Sequence, residues 1–135
     1  MKLTLDSINN INIFENLTGA KVKDCFSENG KLVFLVEEGN VKLAIGKNGS
    51  NVKRVSKVLK KDIKIIAFSA EVCKFVSNLI YPNKADEINL EGKIVTITVS
   101  DNVIKGRIFG RSRENLKRIN SVVKNYFDVE DVKVV

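Results

Sequence analysis

The sequence has no histidine and no tryptophan, and it has only one proline and two cysteines among 135 residues. The absence of histidine removes the commonest general base at neutral pH and the commonest metal ligand. The Walker sequence GxxxxGK[ST], the HExxH motif and the GxSxG elbow are also absent. We therefore expect a protein that is not an enzyme and that uses no metal or other cofactor.

Cysteine usage and hydropathy restrict the class of protein further. Cys25 and Cys73 lie in apolar segments without any CxxC or Cys/His spacing, which favours reduced, buried thiols. No run of about 18 apolar residues could cross a membrane, and the N-terminal segment lacks the apolar core of a signal peptide. These features predict a cytoplasmic protein with no membrane partner.

The positive charge is concentrated in two segments. The net charge is +7, but residues 41–61 contain seven basic residues and no acid, and residues 103–124 contain seven basic residues and one acid, Glu114. The rest of the chain consequently carries a net charge of −6. Two basic regions on an otherwise acidic protein indicate a polyanionic partner.

The two basic segments also match each other in sequence. An offset of 64 residues places "IGKNGSNVKRVSKVLK" (45–60) on "FGRSRENLKRINSVVK" (109–124), with apolar positions aligned and Asn51 on Asn115. This match indicates an internal duplication of a unit of about 65 residues. We predict two domains, residues 1–68 and residues 69–135.

Both predicted domains have the element order α-β-β-α-α-β, which is an α+β fold. In the first, a helix ends near Gly19, a hairpin turns at Asn29-Gly30, and "VKLAI" forms a short helix. The turn 46–49, the helix 50–61 and the strand 63–68 follow. For the second, the sequence predicts a helix over 70–80 with Ser69 as N-cap, strands over 86–90 and 93–100 around a turn at Glu91-Gly92, helices over 102–109 and 114–127, and a strand over 130–134.

The turn between the two helices of the first domain has the chemistry of a phosphate site. Gly46 and Gly49 allow close approach to the backbone, and the following helix presents free N–H groups and its positive dipole end. Lys47 adds a charge within the turn. Ile45, Val52 and Val55 offer an apolar floor for bases, but the stripe of Val52, Val55, Val58 and Leu59 is predicted to be mostly core packing, with only its edge facing a base. The alternative is a simple helix-to-helix turn that binds nothing.

A helix-GxxG-helix within an α-β-β-α-α-β unit resembles the KH domain of the prokaryotic type (type II), and "AIGKNGSNVKRV" is similar to its signature. Together with "FENLTGAKVKDC" (14–25), the tandem arrangement resembles the archaeal NusA-like transcription termination/antitermination factors. The resemblance implies two tandem type II KH domains, each with a three-stranded sheet and helices packed on one face. It also implies binding of single-stranded RNA, about four nucleotides for each GxxG loop, with RNA polymerase or other transcription factors as further partners.

Carried onto this sequence, the motif gives candidate RNA-binding residues in both domains. In the first domain they are Ile45, Gly46, Lys47, Asn48, Gly49, Lys53, Arg54 and Lys57. In the second domain they are Gly110, Arg111, Ser112, Arg113, Lys117 and Arg118.

The second loop departs from the motif because Arg113 replaces the last glycine. A side chain there is expected either to obstruct the backbone and weaken the site, or to bind phosphate directly together with Arg111. Lys60 and Lys61 lie late in their helix, where a solvated role that complements the helix dipole is the alternative to RNA contact. For the whole protein, the alternative is a KH-fold interaction module serving as an accessory subunit of a polymerase or ribosomal assembly.

Overall fold

The computed structural model describes residues 5–135, which form two compact units divided between Ser69 and Ala70. The predicted order α-β-β-α-α-β is confirmed in both. The first unit contains α1 (Leu5–Thr18), β1 (Val22–Glu28), β2 (Lys31–Glu37), α2 (Val41–Ile45), α3 (Ser50–Leu59) and β3 (Ile63–Phe68). The second contains α4 (Val72–Ile80), β4 (Glu87–Glu91), β5 (Ile94–Thr98), α5 (Asn102–Phe109), α6 (Glu114–Tyr126) and β6 (Asp131–Val134).

Each unit has one three-stranded sheet with the same topology. The first two strands form an antiparallel hairpin, and the third strand runs parallel to the second. The strand orders are β1-β2-β3 and β4-β5-β6, so β3 and β6 are edge strands. Each parallel connection contains the pair of helices that flanks the glycine-containing loop, and both helices of each pair contact the edge strand of their unit.

The first hairpin turns at the predicted residues. Asn29 and Gly30 have φ of 51° and 78°, the two positive values that a type I′ turn requires. The second hairpin turns at Gly92-Lys93, one residue later than predicted, because Glu91 still pairs with Ile94 in the ladder.

Aromatic stacking is central to the core of the first unit. The rings of Phe14 in α1 and Phe34 in β2 stack with centroids 4.3 Å apart. Ala44 and Val55 bring α2 and α3 to the same cluster, so the helices of this unit share one core with its sheet. Cys25 is buried in that cluster, and burial raises the pKa of its thiol to about 12, with the Asp24 carboxylate adding to the shift.

The second unit has an aromatic cluster formed by different residues. The ring centroid of Phe75 in α4 lies 5.7 Å from that of Phe127 and 6.2 Å from that of Tyr126, and the Tyr126 contact is edge to face. Cys73 on the same helix is only half-buried. The prediction of a buried thiol is therefore correct for Cys25 and wrong for Cys73.

Several predicted element ends are wrong by one or two residues. Helix α4 begins at Val72, with Glu71 as its N-cap, so Ser69 is not the cap; Ser69 is instead buried. Helix α3 ends at Leu59 because Lys60 has a left-handed φ of 56°, and the N–H of Lys60 donates to the Ser56 carbonyl. None of the helices within residues 5–135 is long and apolar enough to cross a membrane.

Candidate nucleic-acid interface

The loop between α2 and α3 consists of Gly46 to Gly49 and has an unusual backbone. Gly46 has φ 75° and ψ 172°, a region that is essentially restricted to glycine. Asn48 (φ 56°, ψ 28°) and Gly49 (φ 74°, ψ 17°) are both left-handed. The Gly49 N–H donates to the Gly46 carbonyl at 3.2 Å and closes the loop into a single turn. The four residues therefore adopt one defined conformation.

Asn51, in the first turn of α3, holds this loop against the end of α2. Its side-chain Nδ2 donates to the Leu43 carbonyl at 2.7 Å. A Cβ on Gly46 would lie 2.8 Å from Asn51 Cγ and 2.9 Å from its backbone nitrogen, closer than real Cβ contacts. Gly46 is consequently required both by its backbone conformation and by the side chain packed over it.

Gly49 has a different reason to be glycine. A Cβ at this position would have no atom within 4 Å, so its α-carbon faces open space. Only its left-handed φ favours glycine, at a cost of roughly 1–2 kcal/mol for other residues. This side of the loop is open to a ligand.

The second loop, Gly110 to Arg113, has the same backbone conformation as the first. Gly110 has φ 72° and ψ 175°, Ser112 has φ 55° and ψ 31°, and Arg113 has φ 61° and ψ 20°. Asn115 occupies the position of Asn51: its Nδ2 donates to the Arg107 carbonyl at 3.1 Å, and a Cβ on Gly110 would lie 2.7 Å from its Cγ. Sequence duplication thus extends to individual dihedral angles.

Arg113 keeps the glycine-like backbone and turns its side chain back to α5. Its guanidinium carbon lies 5.4 Å from the centroid of the Phe109 ring, a cation-π contact. Arginine in place of the last glycine of the motif therefore leaves the course of the backbone unchanged. Its side chain lies against an aromatic ring that precedes the loop.

Both loops contain backbone donors that have no partner. Within residues 5–135, no group accepts a hydrogen bond from the N–H of Lys47 or Asn48, nor from those of Arg111 and Ser112. Each loop leads directly into a helix of ten or more residues, α3 or α6, whose dipole is positive at that end. Partnerless N–H groups at such a position suit an anion.

The predicted cations lie in the two loops and on the helices that follow them. Lys47, Lys53, Arg54 and Lys57 are all exposed, and in the part of the chain that the structure describes none of them forms an ion pair. In the second unit Arg111, Arg113 and Lys117 are exposed. Arg118 is half-buried, and its Nη1 donates to Asn115 Oδ1 at 2.8 Å, which links its guanidinium to the residue that holds the loop.

The apolar floor is only partly as predicted. Ile45 is 39% exposed at the end of α2, and Val52 is partly exposed, so both can be reached from the loop. Val55 is 0% exposed and belongs to the core. For Val55 the core-packing alternative is therefore confirmed and base contact is not, because the helix turns this position toward the sheet.

A groove in the second unit runs from the loop Gly110 to Arg113 along the edge of the sheet. It has a volume of about 410 Å³ and lies between α6 and the last strand. Phe109, Arg113, Leu116 and Lys117 line one side, and residues 131–135 line the other. Sequence reasoning did not find the second wall, because nothing in the sequence of a short edge strand shows which helix it faces.

Known proteins resemble this chain over its whole length. The sequence model of the KH domain family matches residues 10–72. A probable transcription termination protein NusA of Methanocaldococcus jannaschii is 30% identical over all of this chain and 75% of the relative, and its Methanococcus vannielii counterpart is 31% identical over all of this chain and 80% of the relative. The chain belongs to the archaeal NusA-like family of KH proteins. The crystal structure of APE1850 matches with a TM-score of 0.78 at 31% identity, over 98% of this chain and 99% of that one.

Within each unit of this NusA-like chain, the structure brings the predicted loop residues together with the first turns of the following helix. Lys53 and Lys57 lie one turn apart on α3, beyond the loop. What sequence reasoning missed are the two asparagines that hold the loops, Asn51 and Asn115, and the wall formed by β6. For the two asparagines a signal was present in the alignment of the two copies, where Asn51 matches Asn115.

Proposed function

We propose that this chain binds single-stranded RNA without catalysing a reaction and acts in transcription termination or antitermination. The observation that carries the proposal is the pair of loops with matching backbone angles, each with partnerless N–H groups at the start of a helix. The names of the relatives, probable transcription termination proteins, support the role in transcription. We assign one KH domain to residues 1–68 and one to residues 69–135.

In the first domain, the loop would hold a phosphate. Gly49 lets the RNA backbone approach, and Gly46 permits the turn against which Asn51 packs. The N–H groups of Lys47 and Asn48 donate to phosphate oxygens. The side chain of Lys47 adds a charge at the same point. Further along α3, Lys53, Arg54 and Lys57 continue the contact with the RNA backbone, and Ile45 offers an apolar surface to a base.

In the second domain, the same backbone geometry supports the same role for Gly110, Arg111 and Ser112. Lys117 and Arg118 extend the contact along α6. Arg113 gives this loop a charge where the first loop has only Gly49, and we expect this charge to attract the phosphate from its position beside Phe109.

Each domain also offers polar groups that can recognise a base. Bases of single-stranded RNA are read by hydrogen bonds to their edges, and an edge strand presents unpaired N–H and C=O groups. In the second unit, the groove places such a strand directly across from Lys117. Phosphates at the loop and bases at the strand would therefore share one groove.

The test compares binding of short labelled single-stranded RNA and DNA by wild type and three variants. Lys47→Asp/Asn48→Asp and Arg111→Asp/Ser112→Asp each change one loop by three charge units. Lys60→Asn/Lys61→Asp changes the far end of α3 by the same amount and serves as the control, since asparagine tolerates the left-handed φ of residue 60. Circular dichroism confirms that every variant is folded.

We expect the first loop variant to abolish RNA binding, the second to weaken it, and the control to retain most of the affinity. Affinity should fall with salt, each phosphate contact adding about 0.7 to the log-log slope. Equal losses in all three variants would show a general charge effect and contradict the loop assignment. Absence of RNA binding by wild type would favour the alternative, a module that binds a protein partner.

A further inference from the structure

One side chain in the second unit fills the hydrogen-bonding positions of the edge strand. Asn120 of α6 accepts a bond from the Val132 N–H at 2.9 Å and donates from Nδ2 to the Val132 carbonyl at 3.2 Å. Nδ2 also lies 3.4 Å from the Leu116 carbonyl, and the Val132 N–H is shared with Asp131 Oδ1 at 2.9 Å. A single amide thus engages both polar backbone groups of one strand residue.

Those backbone groups belong to the outer edge of the sheet. Val135 faces β5, since its N–H donates to the Ile97 carbonyl and its carbonyl accepts from Val99. Backbone groups alternate in direction along a strand, so Val132 and Val134 face outward. No described residue bonds the outward groups of Val134.

The first unit leaves the corresponding position open. The pairs next to the hairpin turns are Glu28 with Lys31 and Glu91 with Ile94, so the residues that follow, Leu32 and Val95, correspond. Leu32 lies opposite Ile63 and Val95 opposite Val132, so Ile63 corresponds to Val132. Leu32 donates to the Asp62 carbonyl, which directs Asp62 inward and Ile63 outward. Among residues 5–135, none bonds the outward groups of Ile63.

The residue that corresponds to Asn120 explains the difference. It is Ser56, ten positions after Gly46 as Asn120 is ten positions after Gly110. Its hydroxyl donates to the Lys61 carbonyl at 2.8 Å, at the end of its own helix. A serine is in any case too short to present a donor and an acceptor side by side as an amide does.

The amide of asparagine has the hydrogen-bonding pattern of a nucleobase edge. Every base places a donor beside an acceptor on its Watson–Crick edge, and the carboxamide of Asn120 does the same. We propose that Asn120 occupies, in the second KH domain, the place that a base takes at Ile63 in the first. The second groove then reads one base fewer, at Val134 alone, and residues 56 and 120 determine how many bases each domain recognises.

Asp131 also occupies the N–H group of Val132 that a base would need in the second groove. Its carboxylate bonds the Val132 N–H, so this donor remains partly occupied even without the amide. Replacing Asn120 therefore frees mainly the Val132 carbonyl. We expect the gain to correspond to about one hydrogen bond, or roughly two- to tenfold in affinity.

This inference rests on the proposed function, and nuclear magnetic resonance of the full chain separates the two. The experiment titrates ¹⁵N-labelled protein with short single-stranded RNA of randomised sequence and follows the amide signals of Lys47, Ile63 and Val132. In wild type, the signals of Lys47 and Ile63 should shift and that of Val132 should not. No shift at Lys47 would refute the proposed function and this inference together.

Reciprocal exchange of the two residues provides the decisive comparison. Asn120→Ser should make the Val132 signal respond to RNA and tighten binding of the otherwise wild-type chain about two- to tenfold. Ser56→Asn should abolish the response of Ile63 and weaken binding at least about twofold. A wild-type shift of Val132 equal to that of Ile63, or exchange variants that behave as wild type while the Lys47 signal still responds, would overturn the inference alone.

Discussion

Substitution of the two glycines of the first loop should have very different costs, although both have a positive φ. Alanine at residue 46 must adopt a conformation that costs about 1–3 kcal/mol. Its Cβ would also lie 2.8 Å from Asn51 Cγ, and such overpacking costs about 1–3 kcal/mol. Alanine also restricts the unfolded chain more than glycine does, and this offsets about 0.4–1 kcal/mol of the destabilisation. We therefore expect Gly46→Ala to destabilise the first unit by about 1–6 kcal/mol, most of it from the two unfavourable terms together.

Alanine at residue 49 meets none of this crowding. Its Cβ would enter open space, and a left-handed φ of 74° costs roughly 1–2 kcal/mol, partly offset by the same unfolded-state effect. The second copy of the loop supports this, because Arg113 adopts φ 61° and ψ 20° at the matching position. Gly49→Ala should therefore lose about 1 kcal/mol or less.

Urea denaturation followed by circular dichroism measures the difference, with wild type and both variants unfolded under identical conditions. Gly110→Ala repeats the test in the second unit, where the three atoms nearest to the added Cβ all belong to the Asn115 side chain. Equal losses for Gly46→Ala and Gly49→Ala, or a larger loss for Gly49→Ala, would refute the argument that the asparagine sets the requirement for the first glycine.

Two further predictions concern titratable groups outside the loops. Cys25 is buried and has a pKa of about 12, whereas Cys73 is half-buried. A neutral thiol reagent at pH 8 should therefore modify Cys73 in the native protein and both cysteines after unfolding. Rapid labelling of Cys25 in the native protein would contradict the structure. Hydrogen bonds from the side chain and N–H of Ser100 lower the pKa of Asp86. The charged carboxylate therefore stabilises the fold at a pH above the ordinary pKa of 3.8. This contribution is lost as the pH falls through the lowered pKa. Asp86→Asn should reduce the loss of unfolding free energy in acid, and an unchanged pH profile in urea unfolding would disprove the assignment.

The interpretation of the second loop illustrates where local sequence is informative and where it is not. The motif marks Gly110, and the structure gives this residue the backbone conformation of Gly46. The motif suggested that a side chain at residue 113 would either obstruct the loop or bind phosphate, and both stay predictions, but it did not indicate where the guanidinium lies. The Phe109 ring receives it, and that contact depends on how α5 approaches the loop.

Sequence by itself determined the element order, the duplication and both loops, because these depend on short-range rules. Hydrophobic periodicity, the preference of Asn29-Gly30 for a type I′ turn and the need for glycine at residue 46 act within a few residues of the chain. Local rules are also the reason that predicted helix and strand ends differ from the structure by only one or two residues.

Only the tertiary structure decided which residues of these elements face a ligand. Val55 has the same apolar chemistry as Val52, but it is fully buried because α3 packs that side against the sheet. Asn120 gave no signal in its helix, and its hydrogen bonds to Val132 arise because β6, the next element of the chain, folds back along α6. Such contacts join residues through the packing of whole elements, and the sequence of either element alone does not specify them.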